Sequence, residues 1–150
     1  MKYIIIPVFL ISLSTTLTAQ TAEDSVKAVV NLLFTGMKNA DADVFKNVFA
    51  DSAIMQTISR SKEGKTIVKN QDLKEFTDFI SQQAKGDADE RISFETIKID
   101  GPLAVVWTPY KFYYKGEFSH CGVNSFHLVR FGGTWKIQYL IYTRRRQECD

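Results

Sequence analysis

From Thr21 to about Asn39, apolar residues recur at three- and four-residue steps: Val26, Val29, Val30, Leu33 and Met37 form one stripe, and Glu23, Asp24 and Lys27 fall on other faces. That period predicts an amphipathic helix. Thr21 followed by Asp24 has the spacing of a capping arrangement, and acidic residues in the first turn suit the helix dipole. Asp41 offers an N-cap for a second, shorter helix carrying Val44, Phe45, Val48 and Phe49. Ala53 to Ser59 reads as a strand, and Glu63-Gly64-Lys65 as a turn into a short return strand, Thr66 to Val68. A third helix is expected from about Asp72, with Leu73, Phe76 and Ile80 on one stripe and Phe79 beside it. Lys85 to Asp89, rich in Gly and Asp, reads as a loop.

After residue 90 the chain turns β-rich. Arg91 to Ile99, Leu103 to Lys115, Glu117 to Phe131 and Thr134 to Tyr142 are separated by Asp100-Gly101, Lys115-Gly116 and Gly132-Gly133, which are strong hairpin signals. A meander of long antiparallel strands after three helices is an α+β layout with segregated halves. Pro109 lies within Val106-Trp107-Thr108-Pro109-Tyr110 and cannot donate a ladder hydrogen bond, so a bulge or an edge is expected there. A long antiparallel sheet twists, and it curls further where it is bulged. The three helices are then the elements available to cover its concave side. The expected product is a cone with apolar walls and one open mouth, a natural small-molecule site.

The 150 residues are 45% apolar and 13% aromatic, enough to fill one core. A net charge of +2 excludes a strongly basic nucleic-acid binder and an acidic disordered chain. The first residues set an expected compartment. Met1-Lys2 is a short basic start, Ile4 to Leu13 an apolar run, and Ser14 to Ala19 a small, polar end before Gln20. This is the layout of a secretory signal, residues 1–19, cut after Ala19 to leave one domain over residues 20–150. The apolar run is about half the ~20 residues that span a bilayer. Export to the periplasm or the exterior is therefore expected, with no membrane span after cleavage. Cys121 and Cys149 remain in the mature chain, and in an oxidising compartment they pair or stay as two thiols. A bridge needs the C-terminal tail to return toward Cys121. Without a CxxC spacing they make a poor zinc site, and no metal or cofactor is implied.

The order of elements resembles that of the nuclear transport factor 2-like superfamily, which includes ketosteroid isomerase, scytalone dehydratase and polyketide cyclases. Four stretches are similar to the family described as putative lumazine-binding: Trp107 to Tyr113, Phe118 to Phe126, Trp135 to Ile137, and Thr143 to Cys149. The resemblance covers nearly all of the mature chain and is strongest from residue 100 to 149. It implies the cone fold. It implies a lumazine- or pterin-like ligand only through the family's label, since the superfamily hosts many unrelated functions.

Strand alternation sorts the candidate chemistry. Phe118, His120, Gly122, Asn124, Phe126 and Leu128 share one face, and Ser119, Cys121, Val123, Ser125, His127 and Val129 the other. His120 and His127 therefore point oppositely and form no metal pair, and His120 and Cys121 form no nucleophilic pair. The face with His120 and Asn124, spaced by Gly122, is the better candidate for the cone interior. On the neighbouring strand Tyr110, Phe112 and Tyr114 share a face, and a bulge at Pro109 would bring Trp107 to the side of Tyr110. Such aromatics stack on a flat ligand or simply fill the core. Arg144, in Arg144-Arg145-Arg146, could hold an anionic group at the mouth.

An isomerase or dehydratase of the superfamily needs a general base in an apolar cavity. The strands from Trp107 to Tyr142 carry only Glu117, beside a turn, and Asp51 and Glu95 have no assigned place. Binding is therefore the leading expectation. The ligand set is Trp107, Tyr110, Phe112, His120, Asn124, Phe126 and Arg144, in a homodimer formed through the exposed sheet face. An enzyme with His120 as general acid or base and Tyr110 as donor is the second reading. A protein-interaction module whose cone is filled by its own aromatics is the third.

Overall fold

A computed structural model describes residues 21–149; the expected signal segment lies outside the described residues. Helix α1 (Ala22–Lys38) begins at a Thr21 capping box, with the Thr21 hydroxyl accepting from the Asp24 amide and the Asp24 carboxylate accepting from the Thr21 amide. It buries Val26, Val30, Leu33 and Met37. Helix α2 (Ala42–Asn47) is capped by Asp41 and crosses α1 closely, since a Cβ on Gly36 would lie 2.7 Å from the Phe45 amide nitrogen. The helix stops before Val48 and Phe49, which were expected within it. Phe49 instead opens β1 (Phe49–Arg60), which pairs with β2 (Thr66–Gln71). Asp72 caps α3 (Leu73–Ser81).

The strands β3 (Ala88–Ile92), β4 (Thr96–Asp100), β5 (Leu103–Tyr114), β6 (Glu117–Phe131) and β7 (Thr134–Thr143) complete a seven-stranded sheet. Its order is β2-β1-β7-β6-β5-β3, with β4 also on β5, and β1 joins β7 in parallel. The sheet is curled but not closed, and the helices pack on one side of it.

Three expectations in this half are corrected. The strand expected at Arg91 begins three residues earlier, and it breaks at Ser93–Glu95 into β3 and β4, both paired with β5. The break faces Pro109, whose carbonyl accepts from the Ser93 amide but which has no N–H to return. Pro109 causes no bulge between β5 and β6, where the register runs unbroken from Leu103 to Phe112. The bulge lies in β6, where Phe112 pairs with His120 and Tyr113 with Phe118, leaving Ser119 as the extra residue. A second irregularity leaves Gln138 unpaired in β7.

The core lies between α1 and the inner sheet face, where Val26 and Val30 meet a cluster that includes Ala104, Val106, Phe126, Leu128 and Ile137, all fully buried. Burying a side chain such as Phe126 contributes about 2–3 kcal/mol by apolar area alone. Among the described residues no helix is long and apolar enough to cross a membrane.

Candidate functional site

Residues on the inner face of β5 and β6 do not all reach the helices, and the gap is a cavity of about 430 Å³. Its apolar wall comes from Leu33, Phe34 and Met37 of α1, Phe45 of α2, Phe76 and Phe79 of α3, and Met55, Phe112 and Leu140 of the sheet. Phe45 stacks on Phe76 at 5.4 Å between ring centroids, which ties α2 to α3 across the roof. The polar groups at the wall are Glu90, Ser119, His120, Asn124, Arg144 and the phenols of Tyr110, Tyr114 and Tyr142. A cone filled by its own aromatics is not what the structure contains.

Glu90 is the residue that sequence reasoning missed. The sequence reads Lys85 to Asp89 as a loop and starts the strand at Arg91, leaving Glu90 between them, yet the strand begins at Ala88 and places Ala88, Glu90 and Ile92 on the inner face. Asp89 points away and pairs with Lys38 and Arg91, each at 3.0 Å. Glu90 is half-buried, lines the cavity, and has a desolvated carboxylate. Its one side-chain partner among the described residues is Asn124, whose Nδ2 donates to Oε1 at 2.8 Å and reaches Thr108 Oγ1 at 3.4 Å. Burial pushes the Glu90 carboxyl up to about 7, against the opposing effect of the Asn124 hydrogen bond. Asp51, Glu95 and Glu117, the carboxylates open to consideration from sequence, are all exposed.

The register explains why curvature is needed. Glu90 pairs with Phe112, and Phe112 with His120, so these three form one row across β3, β5 and β6. Asn124 lies four residues further along β6. In a flat sheet, two strand spacings and four residue rises would put Glu90 and Asn124 about 16 Å apart, beyond side-chain reach. The curl folds the two inner faces toward each other and closes that distance.

His120 is buried at 7% exposure, between Phe112 and Tyr110, whose ring centroids lie 4.8 and 5.8 Å away. Its Nδ1 is 3.0 Å from Ser119 Oγ. Adjacent residues of a regular strand point oppositely, and only the bulge at Ser119 lets both side chains line the cavity. Burial, then the charges of Arg144 and Arg146, push the imidazole down to about 4, so it is neutral near pH 7. Tyr110 donates its phenol to the Thr143 carbonyl at 2.8 Å, which commits its proton and corrects the expectation that it could donate to a substrate. Burial raises its pKa, with the Glu90 charge acting in the same direction. Burial also raises that of Tyr142, which the Thr57 hydroxyl opposes.

Of the seven expected ligand residues, Tyr110, Phe112, His120, Asn124 and Arg144 line the cavity, Arg144 from the exposed rim. Trp107 does not. Without a bulge at Pro109 the alternation of β5 is strict, and Trp107 lies on the outer face, 44% exposed. Phe126 is core, fully buried with its ring edge-on to Phe34. Cys121 and Cys149 are bridged, with Cα atoms 5.7 Å apart. Arg145 pairs with Cys121 through two backbone hydrogen bonds, and Glu148 at φ 54° turns the tail back to bring Cys149 in. The bridge thereby anchors the segment that carries Arg144. No group of three or more His, Cys, Asp and Glu that could hold a metal ion occurs among the described residues.

The fold is shared with solved structures at low identity. A nuclear transport factor 2-like protein of unknown function from Shewanella baltica aligns over 83% of this chain and 94% of its own, at 16% identity and a TM-score of 0.63. A domain of unknown function with a cystatin-like fold from Nostoc punctiforme covers 89% of this chain and 82% of its own, at 18% identity and a TM-score of 0.64. A Mycobacterium tuberculosis protein of unknown function covers 84% of this chain and 73% of its own, at 14% identity and a TM-score of 0.59. No curated protein matches the chain. The sequence profile of one family matches residues 21–143, from the first capping residue to the end of β7. The chain belongs to that family, described as putative lumazine-binding, within the nuclear transport factor 2-like fold.

Proposed function

We propose that this chain binds a flat, partly apolar small molecule inside its cone, of the lumazine or pterin type that the family's description suggests. The cavity carries the reading: about 430 Å³ walled by aromatics, with Glu90, His120 and Asn124 converging on it. That volume and that mixture of apolar wall and few polar groups suit a small-molecule pocket. The test is a thermal-shift screen of pterin, flavin, steroid and aromatic-acid ligands on wild type and His120→Ala. A ligand that stabilises wild type and loses its effect in the variant supports the site. A screen in which nothing shifts either protein overturns it.

Glu90 favours a second reading, proton-transfer catalysis on the bound molecule. A buried carboxyl that titrates near 7 is suited to take and return a proton at neutral pH. His120, neutral and held by Ser119, would orient the substrate. Any ligand from the screen that bears an acidic C–H would then exchange deuterium from D₂O with wild type and not with Glu90→Gln. Equal exchange in both excludes Glu90 as the base.

Two further features belong to this reading. Among the described residues no helix covers the outer sheet face, whose rows Val105-His127-Tyr139-Ile54 and Trp107-Ser125-Ile141-Gln56 set five apolar or aromatic side chains beside His127, Ser125 and Gln56. A second copy of the chain would cover it, giving a homodimer. Export after cleavage behind Ala19 is supported by the Cys121–Cys149 bridge, since such bonds persist in oxidising compartments. An intact Met1 in the mature protein overturns export.

A further inference from the structure

Two charged side chains line the cavity, one of each sign, and they do not pair with each other. Glu90 meets only Asn124 and makes no ion pair among the described residues. Arg144, exposed at the rim, makes none either. Tyr110, His120 and Tyr142 line the same cavity as these two charged groups. Arg146 adds a second positive charge on the His120 side, beside Phe118 and Ser119. Arg145 is turned away, its Nε donating to the Glu148 carbonyl. The cone thus holds at depth a carboxyl that is about half ionised near pH 7 and accepts hydrogen bonds as its anion, and it is positive at its mouth. A neutral apolar ligand would leave both charges unanswered, and a simple anion would meet Glu90.

We propose that the cone selects a dipolar ligand: a flat N-heterocycle whose N–H edge is received by Glu90 and Asn124, carrying an anionic side chain that Arg144 holds at the rim. This rests on the small-molecule reading above and names the ligand class for the same cavity. A carboxylate in a dry wall gains most from a donor that enters with the ligand, because charge-assisted hydrogen bonds are the stronger kind. The wall of aromatic rings fits the flat faces of such a head. A guanidinium with open solvent behind it suits a carboxylate or phosphate tail that stays partly hydrated.

Riboflavin and flavin mononucleotide test it, because they share one N–H-bearing head and differ by one phosphate. Their affinities are read by flavin fluorescence on the full mature chain. Wild type is expected to bind the phosphorylated form about tenfold more tightly. Arg144→Gln removes that preference, Lys62→Gln, in the exposed β1–β2 turn, leaves it, and Glu90→Gln weakens both flavins by about tenfold. Thermal melts confirm that each variant is folded. Equal binding of the two flavins to wild type overturns the proposal, as does a Lys62→Gln effect equal to that of Arg144→Gln, or undiminished binding by Glu90→Gln. If neither flavin binds while another ligand of the screen occupies the cavity, the dipolar class fails and binding stands. If the whole screen is empty, both fail.

Discussion

Replacing Glu90 by Gln removes a buried charge and leaves an oxygen that can still accept from Asn124 Nδ2. Burial holds the Glu90 carboxyl at about 7 against its ordinary 4.5, so between those values the folded chain binds the proton more tightly than the unfolded chain. The associated stability is complete below pH 4.5 and is lost as pH rises through 7. It amounts to about 3 kcal/mol by pH 8. His120 runs the other way. Its imidazole is held at about 4 against 6.5, so its contribution is complete above pH 6.5 and is lost as pH falls through 4. The two slopes are similar in size and opposite in sign, and wild-type stability should be level between about pH 4.5 and 6.5. In Glu90→Gln only the His120 slope remains. The variant should match wild type at pH 4, gain about 3 kcal/mol by pH 6.5, and exceed wild type by about 3 kcal/mol at pH 8. Urea titrations at half-unit steps from pH 4 to 8 measure this, and subtracting wild type cancels the carboxylates common to both. A difference that is the same at pH 4 and pH 8, or a variant less stable than wild type at pH 8, refutes the reasoning.

Gly122 leaves room for the Tyr110 ring and the Thr143 carbonyl, and a Cβ there would stand 2.7 Å from Tyr110 Cε1. Gly122→Ala should therefore cost about 1–3 kcal/mol or more, and an unchanged unfolding midpoint would contradict the packing described. The Cys121–Cys149 bridge spans 28 positions, so Cys121→Ser with Cys149→Ser should lower stability by about 3–4 kcal/mol in urea unfolding. Phe126→Ala should cost about 3–5 kcal/mol while leaving ligand affinity within twofold, because this ring is core and not cavity wall. On the proposed homodimer, wild type should sediment as a dimer and Trp107→Lys with Ile54→Lys as a monomer, with little loss of monomer stability, since both side chains are exposed on the outer face. A monomeric wild type overturns the homodimer, and a variant that remains dimeric moves the interface off this face.

The helices were legible because their signals are local. Thr21, Asp41 and Asp72 each sit where an N-cap must, and the apolar stripes behind them keep the helical period. The inner face of β6 was legible as well, because His120, Gly122 and Asn124 obey the two-residue alternation of a strand whose two edges are both paired. What failed was everything that depends on where alternation is interrupted. Pro109 looked like the interruption, but a missing N–H can be absorbed by the partner strand, and here β3 and β4 part opposite it. Nothing in the side chains around Ser119 announces the real bulge, since any residue can occupy the extra position of such a kink. Misplacing that one residue sent Trp107 inward and Ser119 outward, the reverse of where they lie.

The same dependence explains why the acidic group of the site went unseen. Glu90 comes within 2.8 Å of Asn124 only because the sheet bends through two strands and four residues between them. Alternation assigns a residue to a face, and curvature decides which members of that face meet. Curvature is a sum over twist, bulges and breaks distributed along the whole sheet, so no window of sequence contains it. In sequence, the strands from Trp107 to Tyr142 offer no carboxylate apart from Glu117 beside a turn, which spoke against catalysis. Those strands hold only the exposed Glu117, but the cavity also takes a wall from β3, whose first residues, Ala88 and Asp89, read in sequence as the end of a Gly- and Asp-rich loop. A carboxylate flanked at two-residue spacing by Ala88 and Ile92 was the available signal. In cone folds such short charged strands should be scored for alternation before they are read as turns.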